Sequence, residues 1–265
     1  MTDIGTLGGG FSIGYAINDT GYVVGSSSTS KGEQYAFIWR NSPMQSLGTL
    51  GGTYSRAYDI TNGERIVGES TLWNGDVHAF MWYRGMMTDL GTLGGSHSSA
   101  RAINNNAVIV GESTTANGET HAFLWRNGIM TDLGTLGGSF GFALDINNVD
   151  QVVGVSSIPN DDSHAFLWQN GTMTDLGVLQ TDIDPSSSAT GINDAGTIVG
   201  RSNDSEKTSY VVVWQNGTMT TLNRLPGYDS SSAMSLNSVG QIVGESHPIY
   251  EDDGLFERAT LWTVK

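Results

Sequence analysis

The chain of 265 residues carries 12 Lys and Arg against 27 Asp and Glu, a net charge of −15 with a pI near 4.4. Such a surface repels phosphate backbones and anionic lipid, which excludes nucleic acid as a partner, and no apolar run reaches the ~18 residues of a spanning helix, so no membrane insertion is expected. Cysteine is absent, which removes disulfides, thiolate nucleophiles and Cys-containing zinc sites, while 36 Gly and only 38% hydrophobic residues fit short strands joined by many turns.

The chain opens on Met1-Thr-Asp-Ile-Gly-Thr-Leu7, and near-copies of that segment begin at Met44, Met87, Met130, Met173 and Met219, four steps of 43 residues and one of 46. Repeats of this length cannot bury their own faces singly, so residues 1–265 are read as a single domain of six repeats. Met1–Leu7 is expected to be a fourth strand that lacks its first three. One complete repeat shows the plan. Ser98–Asn104, short and bounded by polar residues, reads as a first strand. Asn105-Asn-Ala-Val-Ile-Val-Gly111 then sets a turn before a β-branched run, the second strand; its sister turn is Asn18-Asp-Thr-Gly21, with Gly in the left-handed position. His121-Ala-Phe-Leu-Trp125 is the third strand, Asn127-Gly128 a strong hairpin signal, and Met130–Leu136 the fourth strand. The chain ends on Ala259–Val264, a third strand without a fourth. These elements predict an all-β, six-bladed β-propeller of four-stranded antiparallel blades, closed by pairing the N-terminal strand with the C-terminal blade. Closure removes two exposed edges and leaves a monomer. Trp39, Trp82, Trp125, Trp168, Trp214 and Trp262, with Ile17, Ile60, Ile103, Ile146, Ile192 and Leu236, are the expected core between blades.

In such a fold the tight hairpins lie on one face and the loops from fourth to first strand open on the other. The hairpins here are uniform Asn-Gly and Asn-Asp turns, whereas the other face varies from repeat to repeat, and that variation places the candidate site. Just after the Gly-Gly pairs, Phe11, Tyr54, His97 and Phe140 are expected around the channel mouth, either as a stacking platform for a sugar or as caps on their own blades. Further along the first strand Ile13, Arg56, Ser99 and Phe142, then Tyr15, Tyr58, Arg101, Leu144, Thr190 and Met234, change chemistry around the ring. Arg56 and Arg101 stand out in a chain with few cations: each binds a carboxylate bidentately or pairs with Asp59 or Asp145, also on first strands. Trp73, the tryptophan outside the core series, stacks on a ligand or packs over its own Asn74-Gly75 turn. His78, His121 and His164 hold equivalent positions without an H-E-x-x-H or a close ligand pair, which predicts a repeated hydrogen bond to a neighbouring loop rather than zinc. The insertions Gln180–Pro185, Ile249–Gly254 and Asn160-Asp-Asp162 lack the spacing of a calcium loop and read as a solvated acidic rim, so no metal and no cofactor is expected.

The recurring Met-Thr-Asp-Leu-Gly-Thr-Leu-Gly-Gly, Asp-Ile-Asn, Val-Val-Gly and His-Ala-Phe-Leu-Trp segments resemble the bacterial HAF repeat over essentially the whole chain. The match is specific where His78, His121 and His164 each begin His-Ala-Phe, looser at Tyr35-Ala-Phe, and departs at Tyr210-Val-Val-Val-Trp and Arg258-Ala-Thr-Leu-Trp. The resemblance implies an extracellular or cell-surface repeat protein and brings no catalytic residues with it. The residues themselves predict a module that holds a carbohydrate, a small-molecule ligand or a partner protein. The alternative is an enzyme (a polysaccharide lyase, hydrolase or cyclase) using Tyr54, His97, Arg56 and Arg101 for proton abstraction beside a neutralised carboxylate.

Overall fold

Every regular element described in the computed structural model is a β-strand. It describes all residues except 42, 180–184, 205, 207, 249–256 and 264–265. Backbone proximity divides the chain into two compact units, Met1–Asp132 and Leu133–Lys265.

In the first unit β1 (Gly8–Ile17), β2 (Val23–Thr29), β3 (Gln34–Trp39) and β4 (Gln45–Gly48) form an antiparallel meander. The pattern recurs in β5 (Ser55–Ile60), β6 (Ile66–Thr71), β7 (Val77–Tyr83) and β8 (Met86–Asp89), and again in β9 (Gly94–Ile103), β10 (Ile109–Thr115), β11 (Thr120–Arg126) and β12 (Ile129–Gly134), within which the division falls. One parallel pair, Val77 with His97, joins β7 to β9, so these two meanders form one eight-stranded sheet. The second unit contains β13 (Gly141–Ile146), β14 (Val152–Ser157), β15 (Ser163–Gln169) and β16 (Thr172–Asp175); then β17 (Ser187–Ile192), β18 (Ile198–Asn203), β19 (Ser209–Gln215) and β20 (Thr218–Thr221). Its last sheet has three described strands, β21 (Tyr228–Leu236), β22 (Gln241–Pro248) and β23 (Arg258–Thr263).

The strand expected over Met1–Leu7 is not formed: residues 1–6 adopt no strand, and Leu7 makes an isolated parallel bridge to Thr29. First strands also start earlier than expected in places, β9 at Gly94 rather than Ser98.

Each first strand carries a β-bulge. In β5 the ladder runs Arg56 to Glu69 and Ala57 to Gly68, then skips Tyr58 and resumes at Asp59 to Val67. The bulge presses a backbone carbonyl onto the second strand, and this is why Val-Val-Gly recurs: a Cβ on Gly68 would lie 1.9 Å from the Arg56 carbonyl oxygen. Between neighbouring sheets, Val24, Ile38 and Leu47 of the first meander pack on Ile60, Ile66 and Phe80 of the second, and the same cluster recurs with Val153, Ile192, Ile198, Val212 and Trp214 in the second unit. The deepest rings are Phe37, Phe80, Phe123 and Phe166; of the tryptophans expected there, Trp214 is buried, and Trp82, Trp125 and Trp262 pack partly exposed against the core clusters. The hairpin turns are stitched sideways: Asn18 Oδ1 accepts the amides of Thr20 and Tyr22, while its Nδ2 donates to the Thr61 carbonyl of the neighbouring turn at 3.0 Å.

Candidate functional site

The bulge decides what the first strands present. Its unpaired residue is Tyr15 in β1, Tyr58 in β5, Arg101 in β9, Leu144 in β13, Thr190 in β17 and Met234 in β21, the position that changes chemistry from repeat to repeat. An extra residue in one strand re-aims its side chain. In the first unit these side chains converge on two carboxylates of the second strands, Glu69 and Glu112.

Arg101 lies against Glu112, its Nε donating to Oε1 and Oε2 at 2.9 and 3.1 Å. Burial works against the charge on Arg101, but the glutamate outweighs it and holds the guanidinium protonated. The same guanidinium sits 4.7 Å from the centroid of the Tyr58 ring. Tyr54 and Tyr58 both donate their phenolic hydrogens to Glu69 Oε1, at 2.7 and 2.8 Å. Burial pushes Glu69 upward, yet these two hydrogen bonds and the charge on Arg101 more than offset it and hold the carboxylate below its ordinary range. Burial, then the bond to Glu69, pushes the Tyr54 phenol well up, so it keeps its proton at neutral pH.

Arg56 is treated differently. Glu69 stands directly across the ladder but is occupied by the tyrosines. The guanidinium instead lies among three rings, 5.5 Å from Tyr54, 5.7 Å from Tyr15 and 6.0 Å from Tyr58, and Tyr15 and Tyr58 are themselves 5.6 Å apart. Among the described residues its one polar contact is a long 3.4 Å bond from Nη1 to the Tyr58 oxygen, and its Nε is buried without an acceptor. A guanidinium with π faces around it and no counter-ion among the described residues is equipped to take an acceptor from outside.

Neither arginine pairs with Asp59 or Asp145, as the sequence allowed. Asp59 is partly buried, accepting the amide of Ile60 at 2.7 Å and that of Ile103 in the next meander at 2.8 Å. Asp145 does the same for Ile146 and Ile192, each at 2.8 Å. These carboxylates staple neighbouring first strands, a task that requires them to turn away from solvent. Burial raises Asp59 to about 6, against the two amides that favour its charge.

The four rings after the Gly-Gly pairs do not touch one another among the described residues. Each is anchored through its backbone to hydroxyls on its own second strand: Phe11 N donates to Ser28 Oγ, Tyr54 N to Thr71 Oγ1, His97 N to Thr114 Oγ1 and Phe140 N to Ser157 Oγ. Tyr54 turns its hydroxyl to Glu69, and His97 lies near enough to Glu112 to favour its charge. Phe11 stays exposed, and Phe140 stacks at 5.4 Å on Phe142. Trp73 is 89% exposed and lies over Gly51 of the Gly-Gly loop rather than over its own turn; a Cβ on Gly51 would fall 2.3 Å from its Nε1. His78, His121 and His164 bond through Nδ1 to Asp89, Asp132 and Asp175 on the adjacent fourth strand, not to a loop. Asp162 and Asn160 close a local turn, while the other two acidic insertions fall, apart from Ile249's neighbour Pro248 and from Pro185, outside the described residues. Among the described residues no three His, Asp or Glu are grouped to hold a metal, and no helix is long and apolar enough to cross a membrane.

Glu69 and Glu112 were not singled out from the sequence, though a signal existed. Between the fixed Gly and Ser of the second strand, one position reads Ser26, Glu69, Glu112, Val155, Arg201 and Glu245. Variation framed by two invariant neighbours marks a position released from folding.

No family model matches the chain, and no curated protein matches it in sequence. Solved structures do. The β-propeller domain of the Trilobed protease from Pyrococcus furiosus, described as having an open velcro topology, superposes with a TM-score of 0.60 at 9% identity, over 94% of this chain and 78% of that one. TolB from Acinetobacter baumannii gives 0.56 at 13% identity, over 80% of this chain and 54% of its own. A puromycin-hydrolyzing peptidase of Mycobacterium tuberculosis gives 0.53 at 12% identity, over 89% and 42%. The chain thus spans about half the length of TolB and less than half of the peptidase. At these identities the likeness concerns the fold alone, and the fold is a β-propeller.

Proposed function

We propose that this chain is a ligand-binding β-propeller of the HAF-repeat type, acting outside the cell or at its surface, which holds a carbohydrate or a group on a partner protein at the tyrosine–arginine cluster of its first unit. The observation that carries this reading is Arg56: Arg101 is neutralised by Glu112, whereas Arg56 is walled by Tyr15, Tyr54 and Tyr58 with its Nε unsatisfied. Aromatic walls around a hydrogen-bonding fork suit a sugar ring, with Trp73 as an exposed platform at the same end of that meander. The extracellular assignment rests on the repeat resemblance. The enzyme alternative is the weaker reading for Tyr54, which donates its phenolic hydrogen to Glu69 and is poorly suited as the base that elimination needs, a role that would then fall to His97. A glycan array probed with the wild-type protein and with R56Q tests the reading. Retention of the same glycans by R56Q, or release of an unsaturated, ultraviolet-absorbing product, would overturn it.

We further propose six blades, with Met1–Leu7 completing the sheet of β21–β23. Ile17 is 68% exposed, whereas its counterparts Ile60, Ile103, Ile146 and Ile192 are each 6% exposed, which is what an unfilled sheet interface looks like. The partner of the third-strand residue supports it: His78, His121 and His164 face Asp89, Asp132 and Asp175, Tyr35 and Tyr210 have the hydroxyls Ser46 and Thr221 at the equivalent place, and Arg258 has Asp3. A cation matched again to a carboxylate supports Met1–Leu7 as the outer strand.

A further inference from the structure

In the second unit the same repeat positions enclose a cavity of about 460 Å3, within the range of roughly 300–1,000 Å3 that small-molecule sites occupy. Its charged wall is Arg201 on β18, which is the ladder partner of Ser188 on β17. Arg201 is exposed and, among the described residues, has neither an ion pair nor a hydrogen bond, and the Ser188 hydroxyl is equally free. The other polar groups of the wall are already committed to the protein. Thr190 Oγ1 donates to the Ala233 carbonyl at 2.8 Å, and Ser232 Oγ donates to Glu245 at 3.0 Å. Leu144, Ala233 and Met234 supply the rest of the lining.

We infer that this cavity binds a small organic carboxylate with an apolar body, its acid group on Arg201 and Ser188 and its body against Leu144, Ala233 and Met234. The chemistry discriminates among ligands. A guanidinium fork and an adjacent hydroxyl match the oxygens of one carboxylate. A free sugar would find protein partners for few of its hydroxyls, since Leu144, Ala233 and Met234 offer none and Thr190 and Ser232 are already bonded within the protein. A phosphate dianion would meet one cation and no second basic residue in the lining. The contrast with the first unit is the position between the fixed Gly and Ser: Glu69 and Glu112 there consume the polar groups around them, whereas no described residue pairs with the charge of Arg201. This site lies wholly in the second unit and does not depend on the Arg56 cluster, so each stands or falls separately.

Benzoate, titrated calorimetrically into the whole chain, is the probe, with benzamide, glucuronate and inorganic phosphate as comparisons. Saturable benzoate binding is expected, weakened at least about tenfold in R201Q and for benzamide in the wild type, as loss of one charge-assisted contact implies. R201K, which keeps the charge without the fork, should fall between, and S188A should lose a few-fold. Because Arg201 is exposed, R201Q should unfold at the wild-type temperature. Absence of saturable benzoate binding overturns the proposal, as does unchanged affinity in R201Q. Equal binding of benzamide would remove the role of the charge, and equal binding of phosphate or glucuronate the role of the apolar wall; R56Q should leave benzoate binding untouched.

Discussion

Asp59 gives the sharpest test of the reasoning, because its two possible tasks predict opposite pH behaviour. In the structure its carboxylate is buried and holds the amides of Ile60 and Ile103, and burial raises its pKa from 3.8 to about 6. At about 1.36 kcal/mol per pKa unit, this is a penalty of about 3 kcal/mol on the ionised folded state. The sign follows from proton uptake. Below 3.8 the residue is protonated in both states and exacts no penalty; between 3.8 and 6 the unfolded chain ionises first, so stability falls as pH rises and the loss is complete above the folded pKa. The perturbation is D59N, which cannot titrate. Urea unfolding of both proteins from pH 4 to 7 gives two stability curves, and other carboxylates such as Glu69, whose lowered pKa acts in the opposite sense, cancel in their difference. The wild-type stability relative to D59N should fall by about 2.4 kcal/mol across that range, part of the loss being already present at pH 4. A difference flat to within about 0.5 kcal/mol would mean that Asp59 is solvated, as a ligand-facing residue would be, and the staple would be wrong.

Phe123 is fully buried between sheets, so F123A should lose about 3–5 kcal/mol in urea unfolding, and a loss below about 1 kcal/mol would place the core elsewhere. E69Q should leave the fold intact but loosen Tyr54 and Tyr58, whose phenols then titrate at lower pH in ultraviolet difference spectra; an unchanged titration would show that Glu69 does not hold them. Deleting Met1–Leu7 should lower the unfolding temperature and promote association in sedimentation, through the edge and apolar surface left open. Unchanged behaviour would refute the shared blade. R56Q should lose glycan binding while unfolding like the wild type, since its guanidinium contributes no ion pair to the fold.

The sequence by itself determined what short-range rules control. The 43-residue period, the Asn-Gly turns and the buried first-strand Ile60, Ile103, Ile146 and Ile192 all follow from backbone preferences and from the need of every repeat to cover its neighbour. It also marked the varying position at Tyr58, Arg101, Leu144 and Thr190, each after a fixed alanine, which the structure shows to be a bulge. Pairing was beyond it. Arg101 had Asp59, Asp145 and an external carboxylate as candidate partners, all compatible with the spacing, and its actual partner Glu112 was not among them. Only the bulge geometry, by pointing Arg101 at Glu112 while the strand beyond it draws Asp59 onto two backbone amides, made the choice. The same holds for the histidines, whose partner Asp lies eleven residues along on the adjacent strand, a distance set by the hairpin rather than by any motif. Local geometry is encoded within a few residues, whereas the partner of a charge depends on which strands the tertiary fold lays side by side, and that is why Arg56 and Arg201 stand without an ion pair among the described residues only in the folded chain.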